Sequence, residues 1–174
     1  SLPAELAALG MKEARLSFES EAIELGPRGG DGLEIFFSAN KGEPARRLSN
    51  IASGGELSRL TLLLKTALRE RMGLNVLVFD EIDSGVSGGT ARAIGEKLKE
   101  LARSSQVICV THLPQIASLA DQHFLVDKVA GQRTVSVIRE ILEEERVEEI
   151  ARMLAGYKVT QASRASAREL LTSK

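Results

Sequence analysis

The chain has 174 residues, 43% of them hydrophobic and 27% charged, which suits one globular domain with a buried core. With 23 Lys and Arg against 24 Asp and Glu, the net charge is −1; overall charge therefore excludes affinity for nucleic acid or anionic membrane, and leaves it to local patches. One cysteine, Cys109, excludes an internal disulfide framework and fits a reducing cytosol, and 3% aromatics without tryptophan argue against base-stacking platforms.

No apolar run is long enough to span a bilayer, and the first residues lack the shape of a signal peptide. Residues 1–14, SLPAELAALGMKEA, read as the end of a helix entering from something upstream, with Leu2, Leu6 and Leu9 as a narrow stripe interrupted at Gly10. RLSFESEAIEL and GLEIFFSAN read as two strands joined by the turn-rich GPRGGD. KGEPARRLSN reads as a loop, since Pro44 discourages helix there.

From Glu56 to about Met72 the leucines Leu57, Leu60, Leu64 and Leu68 recur at helical spacing. NVLVFD is a short β-branched run, expected of a strand buried on both faces. Ser87 can cap the next helix, whose core face is Ala91, Ile94, Leu98 and Leu101. QVICVTH reads as a second buried strand with Cys109 as a structural thiol, and PQIASLA as a short helix. HFLVDKV and TVSVIREI follow as strands joined through AGQR. EEERVEEIARMLAG and TQASRASARELL close the chain as helices, the first stopping at Gly156 with an exposed acidic face and with Val147 and Ile150 turned inward. The strand–helix–strand–helix order of the middle predicts a parallel α/β sheet.

Two stretches carry chemistry. In ASGGELSR, Ser53 and Glu56 fit a capping box, which leaves the two glycines unexplained, because each weakens a helix start. Glycines are useful where something approaches the backbone closely, and bare N–H groups beside a serine hydroxyl suit phosphate; cap and phosphate site stand level on this stretch alone. In VLVFDEID, Asp80 and Glu81 stand at the C-terminal end of a buried strand, where α/β proteins place ligands. Adjacent carboxylates repel, so a nearby cation would explain them: Asp80 would hold Mg²⁺ through water, and Glu81 would act as general base on an attacking water. His112 ends the next strand, where a neutral imidazole could contact a γ-phosphate or position that water, whereas His123 has no such placement and reads as structural.

In this order the stretches resemble the nucleotide-binding heads of the ABC ATPase superfamily: signature, short helix, Walker B, D-loop, H-loop histidine. More narrowly, NKGEPARRLSNIASGGELSRLTLLLKTAL, VLVFDEIDSGVSGGTA and VTHLPQIASLADQHFLVDK resemble the RecN family of bacterial SMC-like double-strand-break repair proteins, from about residue 33 to 128. The resemblance implies the C-terminal lobe of an ABC/SMC-type P-loop ATPase head: an α/β fold with a largely parallel sheet flanked by helices and a β-hairpin. Residues 1–14 would be the end of a returning coiled-coil helix, and 15–174 the lobe, with signature 51–59, Walker B 76–81, D-loop 83–88 and H-loop 112.

By the same resemblance, Ser53, Gly54, Gly55 and Glu56 belong to the signature, which contacts ATP held by the opposite head of a dimer. Asp80 and Glu81 match the magnesium aspartate and the catalytic glutamate; Asp83, Ser84 and Gly85 lie in the D-loop, which communicates across the dimer; His112 matches the H-loop histidine. The final aspartate of the commonest D-loop pattern is replaced by Ser87, and its role is not carried over. Nothing matches the G-x-x-x-x-G-K-[ST] of a Walker A loop, and LGPRGGDG lacks the lysine and hydroxyl that grip phosphate. The implied partners are thus an N-terminal lobe carrying Walker A, a second head and DNA, with ATP and Mg²⁺ as ligands, no membrane, and a cytoplasmic, nucleoid-associated location.

Other readings are a non-hydrolytic dimerisation or DNA-docking module, the head of another SMC-type protein, or an ABC transporter subunit. Retention of Glu81 and His112 argues against the first, VTHLPQ against the second, and the RecN-like stretches against the third. Arg46, Arg47, Lys65, Arg69 and Arg71 are the residues a DNA-facing patch would use, although charge runs of this size are usually solvated faces.

Overall fold

The computed structural model describes residues 2–27, 29–51, 54–73, 75–129 and 134–173, with residues 69–72 described by their backbone alone. The first helix, α1 (Leu2–Ala8), buries Leu6, and Leu9 just beyond it is buried too, so the leucine stripe faces the core as expected. Gly10, at φ 80, turns the chain in the left-handed region; a Cβ there would also lie 2.9 Å from the Thr90 methyl.

Strands β1 (Arg15–Gly26) and β2 (Gly29–Ser38) form an antiparallel hairpin in register from Arg15↔Ser38 to Ala22↔Asp31, so the ladder runs further into the turn-rich segment than expected. The expected loop at 41–50 holds a short strand, β3 (Arg46–Arg47), paired with Phe36 and Phe37, and then a 3₁₀ turn at Leu48–Asn50.

Helix α2 (Gly55–Met72) ends at Gly73, whose φ of 56 is the left-handed closure glycine accepts. Its buried face is not the predicted stripe. Leu60, Leu62 and Leu63 are buried together with Arg59 and Thr66, whereas Leu68 is 43% exposed. The run LTLLLKTAL is apolar at several phases, so its period identifies the helix without choosing the face.

A strand–helix–strand unit follows: β4 (Val76–Phe79), α3 (Gly88–Leu101) and β5 (Gln106–Cys109), with β4 and β5 parallel from Val76↔Gln106 to Phe79↔Cys109. Helix α3 buries Ala91, Ile94, Leu98 and Leu101 as expected. Ser87 does occupy its N-cap, but the hydroxyl makes no capping bond. The predicted parallel sheet is present as this pair, and the other two sheets are antiparallel. Burial on both faces does not hold: Leu77 and Phe79 point into the core, while Val78 is 61% exposed and Val76, Ile108 and Val110 lie bare beside it.

The rest packs as a smaller layer. After α4 (Pro114–Ala117), strands β6 (His123–Val129) and β7 (Val135–Ile141) pair antiparallel; the expected AGQR connection lies outside the described residues. Helices α5 (Glu143–Ala155) and α6 (Gln161–Thr172) close a second apolar cluster of Ala117, Val147, Ile150, Ala151 and Ala167. Gly156, at φ 70, terminates α5 as expected. A reciprocal Thr160–Ser163 capping box starts α6. Among the described residues no helix is long and apolar enough to cross a membrane.

Candidate functional site

The parallel pairing determines what meets at one end of the sheet. Because Phe79 lies opposite Cys109, and Val110 donates its N–H to the Phe79 carbonyl at 2.9 Å, the segments leaving β4 and β5 emerge side by side. Asp80 and Glu81 leave the first, and Thr111 and His112 leave the second.

Asp80 and Glu81 are both exposed. An oxygen of the Asp80 carboxylate accepts the Glu81 N–H at 2.9 Å, and the Glu81 carbonyl accepts the Ser84 N–H at 3.1 Å, closing a tight turn. Within that turn Glu81 sits at φ 57, a left-handed conformation uncommon for any residue but glycine. Among the described residues no cation pairs with either carboxylate, and no group of three or more His, Cys, Asp and Glu side chains converges to hold a metal. A single exposed carboxylate nevertheless fits Mg²⁺, which typically takes one or two carboxylates and fills its octahedron with waters and phosphate oxygens.

The start of α2 is tied to the same turn. The Ser58 hydroxyl donates to the Asp80 carbonyl at 3.1 Å, and Arg59 Nη1 donates to the Ser84 carbonyl at 2.9 Å. Arg59 is buried; desolvation pulls its guanidinium below its ordinary range, with Glu56 partly opposing the shift. At Gly55 a Cβ would lie 2.7 Å from the Ser84 carbonyl oxygen and 2.9 Å from its Cβ, so this glycine allows helix and loop to touch. Gly54 differs: it is the N-cap, at φ 179 in ordinary extended backbone, and a Cβ there would meet nothing within 4 Å. The helix thus starts one residue later than a Ser53 cap requires; Ser53 itself lies outside the described residues. Glu56 is exposed in the first turn, where the helix dipole favours a carboxylate.

Asp83 turns inward. Buried beneath the loop, its Oδ2 accepts the Thr111 hydroxyl at 2.6 Å and the His112 N–H at 2.9 Å, and lies 3.0 Å from His112 Nδ1. Ser84 and Gly85 are exposed on the outer side of the loop, Gly85 at φ 72. The His112 side chain is 74% exposed. Beside them, burial pushes the Cys109 thiol up to about 12, with Asp83 and Asp80 adding to the effect, which keeps it protonated and unreactive. His123 is half-buried, and burial followed by the Arg146 charge lowers its pKa against an opposing Glu149, which suits a structural imidazole.

The structure therefore brings Gly55, Asp80, Glu81, Asp83, Ser84 and His112 into one region. Among the described side chains, two of the basic residues make separate contacts. Arg47 pairs with Glu34 at 3.7 Å, Lys65 lies over the Phe79 ring at 5.6 Å, and the side chains of Arg69 and Arg71 lie outside the described residues. Thr111 is a contributor that sequence reasoning missed, and Ser58 and Arg59 fall within the expected signature 51–59 but were given no role of their own. Of these, Arg59 alone carried a signal: a charge directly before Leu60 in the apolar face.

No protein-family model matches the chain. Curated relatives do, two of which serve as examples. The DNA repair protein RecN of Halalkalibacterium halodurans is 46% identical over 144 residues, 82% of this chain, and that of Streptomyces coelicolor is 42% identical over 185 residues, 98% of this chain. By sequence, the chain belongs to the RecN family. It spans 26% and 32% of those two RecN proteins. Among solved structures, the Smc head domain with coiled coil and joint from Pyrococcus yayanosii matches with a TM-score of 0.58 at 23% identity, covering 90% of this chain and 28% of that one. At that identity the likeness concerns the fold, and this RecN-type chain has the fold of a lobe of an SMC-type head.

Proposed function

We propose that this chain is the C-terminal part of an SMC-like ATPase head. Joined by an N-terminal lobe carrying Walker A, it binds and hydrolyses Mg-ATP in a head-to-head dimer, driving DNA tethering in double-strand-break repair and recombination in the bacterial cytoplasm. The observation that carries this reading is the convergence at the ends of β4 and β5. Two exposed carboxylates and an exposed imidazole share one sheet end, and the glycine-led start of α2 is bonded to the same turn. The names of the relatives supply the DNA-repair setting.

In this mechanism Asp80 would hold Mg²⁺, which would supply charge neutralisation on the phosphates. Glu81 takes a proton from the attacking water as general base. His112 lies beside it to orient that water or meet the γ-phosphate. Ser53, Gly54, Gly55 and Glu56 present the N-terminal end of α2 to the γ-phosphate of ATP held by the second head, where N–H groups and helix dipole stabilise negative charge. Asp83, Ser84 and Gly85 connect that surface to the carboxylates. The bare sheet face of Val76, Val78, Ile108 and Val110 is where the N-terminal lobe packs.

The test is ATP turnover with Mg²⁺ by this chain, by the N-terminal half, and by the two mixed. Turnover is expected in the mixture alone, and Glu81→Gln should lower it by about 10²–10⁴-fold, the usual contribution of a general base. Turnover by the chain alone would mean a phosphate site elsewhere. A folded complex with no turnover would leave a nucleotide-clamped docking module.

A further inference from the structure

We infer that Asp83 is a positioning residue for His112, fixing its tautomer so that the neutral ring presents Nε2 as a hydrogen-bond acceptor. The inference deepens the ATPase reading and rests on it for its catalytic meaning, but its geometry stands alone. Two hydrogen bonds and one close contact converge on one carboxylate oxygen: it accepts the Thr111 hydroxyl at 2.6 Å and the His112 backbone N–H at 2.9 Å, and His112 Nδ1 lies 3.0 Å away. A carboxylate oxygen can only accept, and a bare nitrogen lone pair 3.0 Å from it would be repelled, so Nδ1 carries the proton when the ring is neutral.

The Asp83 side chain is 5% exposed and cannot follow the ring outward, because Thr111 and the backbone N–H anchor it from the β5 side. The imidazole itself is 74% exposed, which leaves its second nitrogen accessible. A neutral His112 held this way cannot donate to a phosphate oxygen through Nε2. It can accept a hydrogen bond from a water, and that is the role the geometry assigns. Glu81 is not its orienting partner: its peptide turns at φ 57, and among the described residues no bond joins its carboxylate to His112.

The chain has two histidines, so imidazole ¹⁵N spectra of the labelled 174-residue protein are simple to assign with a His112→Gln control. Read at a pH where its own ¹⁵N signals show the ring to be neutral, His112 should have the Nδ1–H tautomer as its dominant form. Asp83→Asn keeps an oxygen for Thr111 and the backbone N–H but removes the charge, and should shift His112 toward a mixture of tautomers. A dominant Nε2–H form in the unsubstituted chain would overturn the proposal, whatever the variants do. In the complemented head, Asp83→Asn should lower kcat about 10–100-fold, as loss of a histidine's supporting carboxylate does elsewhere, with KM little changed. In a His112→Gln background the same change should add no further loss; a full additive loss would overturn the coupling. The expected tautomer in a complemented head without turnover would sink the ATPase reading and leave the Asp83–His112 pair standing.

Discussion

At Glu81 the backbone enters the left-handed region, which costs an L-residue with a Cβ about 1–2 kcal/mol. The strain sits on the residue assigned the proton transfer, and the turn that imposes it is held by the Asp80 carboxylate and the Ser84 N–H. Glu81→Gly should therefore raise the stability of the chain by about 1 kcal/mol in urea denaturation, while Glu81→Gln leaves it unchanged. A destabilised glycine variant would mean that the glutamate side chain holds the turn. Cys109 provides a second residue-scale expectation. Burial raises its pKa from 9.0 to about 12, so the folded state favours the thiol over the thiolate. That contribution is complete below the unfolded value and is lost as pH rises through the interval between the two. Stability should fall across that interval, and Cys109→Ala should flatten the decline; an unchanged slope would assign it to other groups. Asp80, Glu81 and His112 were legible because each ends a short apolar run. The reason for Gly55 was not, since Ser84, the residue that touches it, lies on the far side of a helix and a strand.

For α2 the question is how its start is held. Gly55→Ala places a methyl group against the Ser84 carbonyl and the Arg59 guanidinium, so either the helix shifts or the loop yields. A cost of about 1–3 kcal/mol is expected, in the range of overpacking elsewhere, together with a drop in turnover of the complemented head. Gly54→Ala meets no atom within 4 Å in extended backbone, and should fold normally. Any loss of turnover in that variant would then report on what approaches the helix from outside. Equal destabilisation by both substitutions would contradict this division of labour between the glycines. The same helix shows how far periodicity reaches: it predicted α2 within a residue at its start, but with leucines at several phases it could not choose the buried side. The acidic start of α5 was read as an exposed face, which holds for Glu143, Glu144, Glu145 and Glu148 but not for Glu149. Its charges are nevertheless matched by Glu144–Arg168 and Glu148–Arg164 pairs at 2.7 Å, and Glu149 is buried beside Arg152. Those partners come from α5 itself and from α6, and the pairing with α6 depends on how the two helices pack.

Across the whole molecule, the α/β character and the β4–α3–β5 unit were readable because a strand followed by an amphipathic helix and another strand has few ways to pack. The number of covered sheet faces was not readable. An apolar strand records every layer against which its sequence was selected, and this chain supplies cover on one side. The consequence is a reversal of sign in how substitutions at Val78 and Ile108 register. In the 174-residue chain, replacing either by threonine should change stability by no more than about 0.5 kcal/mol, as at other exposed positions, and should improve solubility. In a head whose second layer is in place, each such side chain is worth about 1.5–3 kcal/mol on full burial, and the same replacements should weaken capture of the N-terminal lobe in titration calorimetry. Equal tolerance in both settings would mean that the lobe packs elsewhere. A mutational scan on this chain alone would thus grade as most permissive the positions that the assembled head can least afford to lose.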